Sequence, residues 1–281
     1  MIEIIRTGGN KMKNNTLKWV NTVSFIVMVA VNALANVLPI GIGNTGAVSA
    51  KYPNLFTPAP ATFSIWGIIY LLLALFILYQ WGIFGSQESR EADLHSVGLL
   101  FAVSCALNIG WIFSWHFDLI GLSLVMIILL MIFLAVIGRQ ISKEERKGLS
   151  YIAVNAGFDF YFGWIIAAVI ANISVFLVSI GWNRFGLSAD FWTVIVLLVG
   201  AVIGAAPVFL ARKWFSSAAV VWAYVGILIR HISQTGYAGR YPVVIAATIL
   251  GIVIILLTFA MEITQDKETD RDIIIAETGK S

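Results

Sequence analysis

The sequence has few of the residues that build disulfides, metal sites and charged surfaces. Among its 281 residues there is one cysteine, Cys105, and only three histidines, His95, His116 and His231. A single cysteine gives no disulfide framework, and scattered histidines lack the spacing of metal ligands, so we expect no metal site and no cofactor. Charged residues make up 12% of the chain and the net charge is +3, so nucleic acid is not an expected partner.

The sequence also lacks the common catalytic patterns. It contains no combination of nucleophile, base and orienting group that the spacing brings together, and no glycine loop of the phosphate-binding kind. We therefore predict that the protein is not an enzyme.

Hydrophobic residues are abundant: they make up 59% of the chain, and the mean hydropathy is +0.90. These values are typical of a polytopic membrane protein whose main partner is the lipid bilayer. The length rule for spanning segments predicts an all-α bundle of about eight transmembrane helices. The predicted spans are residues 19–40, 62–84, 97–116, 119–138, 150–180, 190–211, 216–233 and 241–262.

An even number of spans places both termini on one side of the membrane. In this arrangement only Lys51, Arg184, Arg230 and Arg240 lie outside, and the other basic residues face the cytoplasm, as the positive-inside rule requires. We predict a multi-pass integral cell membrane protein with cytoplasmic termini, residues 1–18 and 263–281. The span at 216–233 is short and ends at Arg230 and His231. Without it the C-terminus and its three basic residues would lie outside.

No signal-peptidase pattern follows the basic N-terminal residues, so no cleaved signal is expected. The stretch MKNNTLKWV, which begins at Met12, has the form of a natural N-terminus. Translation from Met12 rather than Met1 is therefore one expectation.

The stretch at residues 53–70, PNLFTPAPATFSIWGIIY, is the most distinctive in the chain. Pro53, Pro58 and Pro60 exclude a regular helix and predict a stiff loop that leads directly into an apolar helix. Trp66 and Tyr70 then lie on one face of that helix, at i and i+4. Such a loop could be a lid over a flat hydrophobic ligand, or the stretch could be an interfacial aromatic belt with a proline-rich turn.

The third span carries an amide on an aromatic stripe. Asn108, Trp111 and Trp115 lie on one helical face. An amide in hydrocarbon needs a partner, which is either a ligand or a neighbouring helix.

The fifth span carries a carboxylate. Asn155 and Asp159 share a helical face about 15 Å from the cytoplasmic end. A carboxylate at that depth predicts a functional site, such as a proton carrier. Alternatively, a protonated Asp159 bonds to Asn155 or to an amide of the first span, Asn32 or Asn36.

Further along the fifth span, Trp164 lies beside the small residues Ala168 and Ala171 and the amide of Asn172. Small residues beside a tryptophan can form the floor of a cavity, or can let two helices approach closely. Both interpretations fit the pattern.

The order of these segments is similar to that of a known family. The proline-rich loop, FxxW-x3-Y, ALNxxW and a late W-x7-N together resemble the TspO/translocator protein family, the tryptophan-rich sensory proteins. The resemblance covers residues 19–182 and implies a bundle of five transmembrane helices. It also implies that the bundle binds tetrapyrroles such as porphyrins, or other hydrophobic ligands, and that it can form a homo-oligomer. It implies these ligand-binding residues: Pro53, Pro58, Trp66, Tyr70, Asn108, Trp111, Tyr161, Trp164 and Asn172. The small residue beside Trp164, Ala168, is the tenth expected binding residue.

The chain departs from the family pattern in three ways. Leu55, Phe56 and Ala59 replace tryptophans of the first loop, and Phe160 replaces a proline. In addition, residues 183–262 add three spans to the five, as expected of a long, bacterial variant.

The leading hypothesis from the sequence is a membrane-embedded binding protein that senses or transports a porphyrin-like or other flat hydrophobic ligand. The alternative is a proton-coupled secondary transporter of a small substrate that uses Asp159 as its proton carrier. The internal proline of the sixth span, Pro207, motivates the alternative because broken helices are common in transporters.

Overall fold

The computed structural model describes residues 2–38, 41, 43, 45–141, 146–211 and 213–278; the side chains at 2–13 and 262–278 are not described. Throughout this described part the secondary structure is helical, without strands. The helices are α1 (Ile2–Val37), α2 (Thr45–Lys51), α3 (Ile65–Gln80), α4 (Gln87–His116), α5 (Ile120–Ile141), α6 (Gly148–Tyr151), α7 (Gly157–Ser179), α8 (Ala189–Ala211), α9 (Trp214–Ile232) and α10 (Pro242–Thr278). A π-helical turn, Ile152–Ala156, joins α6 to α7, and single 3₁₀ turns, Pro60–Ser64 and Arg184–Gly186, precede α3 and α8.

Eight helical segments are long and apolar enough to cross a membrane, which confirms the predicted bundle. They are Asn14–Val37, Pro60–Gln80, Gln87–His116, Ile120–Ile141, Gly148–Ser179, Ala189–Ala211, Trp214–Ile232 and Pro242–Met261. The short span predicted at 216–233 is among them, and α8 continues past Pro207 to Ala211.

Two helix ends differ from the predicted limits for identifiable reasons. The third span was expected from residue 97, but α4 begins at Gln87, because the Ser86 hydroxyl accepts a hydrogen bond from the Ser89 amide and caps the helix. The second span was expected to reach residue 84, but α3 ends at Gln80. Gly82 and Gly85, at φ of +88° and +81°, form the turn that follows.

The helices pack in two groups. In the first group, α1, α3, α4, α5 and α7 share an apolar core in which the ring of Phe76 lies 5.1 Å from Phe101 and 4.9 Å from Phe158. In the second group, α8, α9 and α10 pack around residues such as Leu197, Val220 and Tyr224. The groups meet mainly where α9 lies along α7.

A close backbone approach fixes the contact between α7 and α9. A Cβ atom at Gly163 would lie 1.9 Å from the backbone oxygen of Ser216, so only glycine permits this distance between the helices. Nearby, the Ser216 hydroxyl donates a hydrogen bond to the backbone oxygen of Asp159 at 2.8 Å. The last three helices are therefore packed directly against the helix that carries Trp164.

Candidate functional site

The loop at residues 53–60, which we call the proline loop, is shaped by one asparagine. The Asn54 side-chain oxygen accepts hydrogen bonds from the backbone amides of Phe56 and Thr57, at 3.1 and 3.0 Å, and one from the Thr57 hydroxyl at 3.2 Å. This Asx turn, together with the prolines, gives the loop a defined local structure.

The proline loop is bound to α9 and to the turn after it. His231 Nε2 donates to the backbone oxygen of Leu55 at 2.9 Å, and the Tyr237 hydroxyl donates to that of Asn54 at 3.2 Å. The Ala59 amide donates to the backbone oxygen of Gly226 at 3.0 Å. The loop is thus held in place by α9 and the turn after it, a relationship for which the sequence carries no signal.

Beneath the loop lies a pocket, which we call the tryptophan cavity. Four indoles line it, those of Trp66, Trp111, Trp115 and Trp164. Small side chains complete its wall: Ala167, Ala168, Ala171 and, from α9, Ala223. Aromatic and small apolar side chains of this kind are typical of the walls of ligand-binding pockets.

Trp66 is the centre of an aromatic cluster on the cavity wall. Its ring centroid lies 5.6 Å from Tyr70 in a stacked arrangement, 5.9 Å from Trp111 and 6.2 Å from Trp164, which stands nearly perpendicular to it at 85°. Phe63 also packs edge-on against Trp164 at 6.0 Å. These rings hold one another at spacings typical of aromatic packing, so the cavity wall is well ordered.

The polar atoms at the cavity differ in whether they already have partners. The Asn172 oxygen accepts from Trp111 Nε1 at 3.3 Å and from the Ser123 hydroxyl at 3.4 Å, and its Nδ2 donates to the backbone oxygen of Ala168 at 2.9 Å. Trp164 Nε1, in contrast, is buried and has no hydrogen-bond partner among the described residues. A buried donor without a partner costs about 1–3 kcal/mol, which a ligand acceptor would recover.

The structure brings together six of the ten ligand-binding residues expected from the sequence. The six that line the tryptophan cavity are Pro58, Trp66, Trp111, Trp164, Ala168 and Asn172. Two others line neighbouring pockets, Tyr70 towards α1 and Pro53 at the outer side of the proline loop.

Asn108 and Tyr161 line none of the four pockets described here. Asn108 accepts from Asn32 Nδ2 at 2.7 Å and donates to the Tyr161 hydroxyl at 2.9 Å. These bonds join α1, α4 and α7, so the amide has the helix-to-helix partner that the sequence left as one of two possibilities.

Asp159 and Asn155 each bond to a basic residue. The Asp159 carboxylate accepts from Lys213 Nζ at 2.6 Å, and the same ammonium donates to the backbone oxygen of Gly138 at 3.2 Å. Asn155 accepts from Arg146 Nη1 at 3.4 Å. The alternative in which a protonated Asp159 bonds to Asn155, Asn32 or Asn36 is therefore not the arrangement found, because a lysine from the start of α9 supplies a counter-charge.

Sequence reasoning missed the contribution of the last three helices to the cavity. Ala223 and Ile227 of α9 line it beside the tryptophans. No motif marks these two residues, since small and aliphatic side chains occur throughout every span.

Comparison with known proteins gives a match of most of the chain to one family. The family model described as TSPO-like protein matches residues 18–261. The match extends past the resemblance at 19–182 and includes the last three spanning helices. Neither the curated proteins nor the solved structures gave a match.

Proposed function

We propose that this chain, which belongs to the TSPO-like protein family, is a membrane-embedded binding protein for a flat, largely apolar ligand such as a porphyrin. The observation that carries the proposal is the set of four indoles around one pocket beneath the proline loop. Aromatic walls of this kind bind flat molecules through apolar burial and ring stacking. Binding in this cavity is the step that sensing and transport would share.

Two further features support a ligand with an acceptor atom. The unpartnered Trp164 Nε1 can donate one hydrogen bond to a ligand, whereas the amide of Asn172 is already occupied by its protein partners. The proline loop covers the cavity, with Phe56, Thr57 and Pro58 on its lining. Together these features give a bound molecule apolar faces to pack against and one donor to orient it.

Titration of the purified protein with protoporphyrin IX and with haem tests the proposal. Both tryptophan quenching and the absorbance of the porphyrin should be followed, so that loss of an indole reporter is not mistaken for loss of binding. We expect saturable binding in the micromolar range that Trp66→Phe and Trp164→Phe each weaken several-fold, since each removes contact area. Trp19→Phe is the matched control, because Trp19 is exposed on α1 and packs against Trp81 instead. Binding that does not saturate, or that all three variants leave unchanged, would contradict the proposal.

The alternative of proton-coupled transport through Asp159 receives less support. Asp159 lines none of the four pockets described here, and its carboxylate is paired with Lys213. Proteoliposome uptake of a substrate that follows a pH gradient, and that Asp159→Asn abolishes, would reverse this ranking.

A further inference from the structure

A second pocket adjoins the tryptophan cavity on the outer side of the proline loop. This outer pocket, of about 520 Å³, shares the lining residues Ser49, Thr57, Pro58 and Phe63 with the tryptophan cavity. The two spaces are therefore neighbours, separated by little more than these side chains. The outer pocket differs from the cavity in one important respect: its wall includes a basic residue, Arg230.

Arg230 is a partly buried guanidinium without a counter-ion in the described part of the chain. Its Nε is buried and has no hydrogen-bond partner there, and the ion pairs found do not include it. Its guanidinium carbon lies 5.4 Å from the ring centroid of Tyr237, a cation–π contact that fixes the side chain without using its N–H groups.

The acidic residue Asp118 lies at the same end of the bundle but has other partners. Its two carboxylate oxygens accept hydrogen bonds from Lys51 and from the Tyr52 hydroxyl. A planar guanidinium with free N–H groups is the donor that best matches a carboxylate, which can accept two parallel hydrogen bonds from it. Arg230 is thus positioned to bind an anion that does not come from the described protein.

The helix geometry connects Arg230 to the tryptophan cavity. Ile227 lines that cavity, and Arg230 follows it by three residues on α9, an axial distance of about 4.5 Å. Residues three apart lie on the same side of a helix. A ligand seated among the tryptophans would therefore bring a substituent on its outer edge close to the guanidinium.

We propose that Arg230 binds a carboxylate at the edge of the ligand, so that the site selects flat apolar molecules that carry an acidic group. This inference rests on the proposed function, because it assigns the ligand's apolar body to the tryptophan cavity. It adds a polar subsite from α9, one of the last three helices, and it names the chemical class that the cavity alone does not specify.

The test compares two probes that differ only in charge, protoporphyrin IX and its dimethyl ester, in a non-ionic detergent. For the wild-type protein we expect the diacid to bind about tenfold more tightly than the diester, because only the diacid can form an ion pair with Arg230. Arg230→Gln should remove that preference by weakening the diacid alone, and Arg230→Lys should restore part of it. Arg240→Gln is the matched control, because Arg240 is exposed and lines none of the four pockets.

The outcomes separate this inference from the proposed function. If wild type and Arg230→Gln prefer the diacid equally, the carboxylate subsite is wrong. The cavity assignment would still stand, provided that binding depends on Trp66 and Trp164. Weakening of both probes by Arg230→Gln would also overturn it, since a charge-specific contact affects only the diacid. Absence of saturable binding of either probe would overturn both proposals.

A phospholipid headgroup is the other source of an anion at this position. Short-chain phosphatidylglycerol, added to the wild-type protein, distinguishes the two. If the wild-type protein shows no diacid preference while Arg230→Gln loses affinity for this lipid, Arg230 binds lipid phosphate and the carboxylate assignment is wrong. If the preference persists, the carboxylate assignment is supported.

Discussion

The imidazole Nε2 of His231 lies 2.9 Å from the backbone oxygen of Leu55, so a residue at the end of α9 holds the middle of the proline loop. A carbonyl oxygen can only accept, so Nε2 carries the proton in this contact. The ring also packs against Tyr237 at a centroid distance of 4.8 Å, and Tyr237 in turn bonds to Asn54. The loop over the cavity, α9 and the turn after α9 therefore form one connected unit.

Replacement of this histidine should loosen the proline loop. In His231→Ala the Leu55 carbonyl loses its partner, at a cost of about 1 kcal/mol, and the loop should open more often. Hydrogen–deuterium exchange of residues 53–60 should rise several-fold, and bound protoporphyrin should dissociate faster. His95→Ala is the control, because His95 is exposed on α4. Unchanged exchange in the loop would show that the bond does not restrain it.

Gly226 should tolerate no side chain. A Cβ atom there would lie 2.0 Å from the Thr62 hydroxyl oxygen, and the Gly226 carbonyl accepts the bond from the Ala59 amide. Gly226→Ala should therefore displace the proline loop and weaken protoporphyrin binding about tenfold or more, a change worth 1.4 kcal/mol per factor of ten. Gly67→Ala is the matched control, since a Cβ atom at Gly67 meets nothing within 4 Å. Equal affinity for both alanine variants would contradict this account.

The sequence was sufficient to predict the spans and much of the cavity wall. A bilayer imposes a minimum length of apolar helix, so eight spans follow from hydropathy alone. The segments that carry Trp66, Trp111 and Trp164 could be found because tryptophans and prolines are rare and their spacing is distinctive. Their role in ligand binding stays a prediction.

The position of α9 against α7 and the proline loop could not be predicted. Two of the 24 glycines, Gly163 and Gly226, permit the close approach, and the sequence does not distinguish them from the others. Which helices pack side by side in a membrane depends on such contacts between small residues. Hydrophobicity does not decide it, because every side of a helix that faces lipid is similarly apolar. For the same reason, the pairing of Asp159 with Lys213, 54 residues later, had no local signal.

The ion pair between Asp159 and Lys213 should stabilise the junction between the two helix groups. Both side chains are largely buried, with 10% and 15% of their area exposed, so removal of one partner leaves a charge without compensation. Asp159→Asn and Lys213→Met should each destabilise the protein by about 3–5 kcal/mol, and the double variant should recover part of that loss. Thermal unfolding in detergent measures all four proteins of the cycle. Strictly additive losses would indicate that the two residues do not interact.

The contact between Lys51 and Asp118 should make stability depend on pH in a defined window. The hydrogen bond from Lys51 lowers the pKa of the Asp118 carboxyl, and the same bond raises the pKa of Lys51. The pKa of an aspartate is about 3.9 in the unfolded chain, and Asp118 stabilises the fold fully at any pH above that pKa. This stabilisation is lost as the pH falls through the lower pKa of the folded state. The pKa of a lysine is about 10.4 in the unfolded chain, and the Lys51 ammonium stabilises the fold fully at any pH below that pKa. This stabilisation is lost as the pH rises through the raised pKa of the folded state. The pair should therefore stabilise the protein between about pH 4 and pH 10.

Asp118→Asn isolates this contribution from other titrations. Asp118 has a φ of +63°, and asparagine tolerates that left-handed conformation, so the substitution removes the charge without straining the backbone. The difference in thermal midpoint between wild type and Asp118→Asn should be largest from pH 5 to pH 9 and should shrink at pH 3 and at pH 11. Added salt should reduce it throughout, because both groups are near the surface. A difference that is the same at every pH would mean that the aspartate acts through its shape and its bond to Tyr52, and that its charge is unimportant.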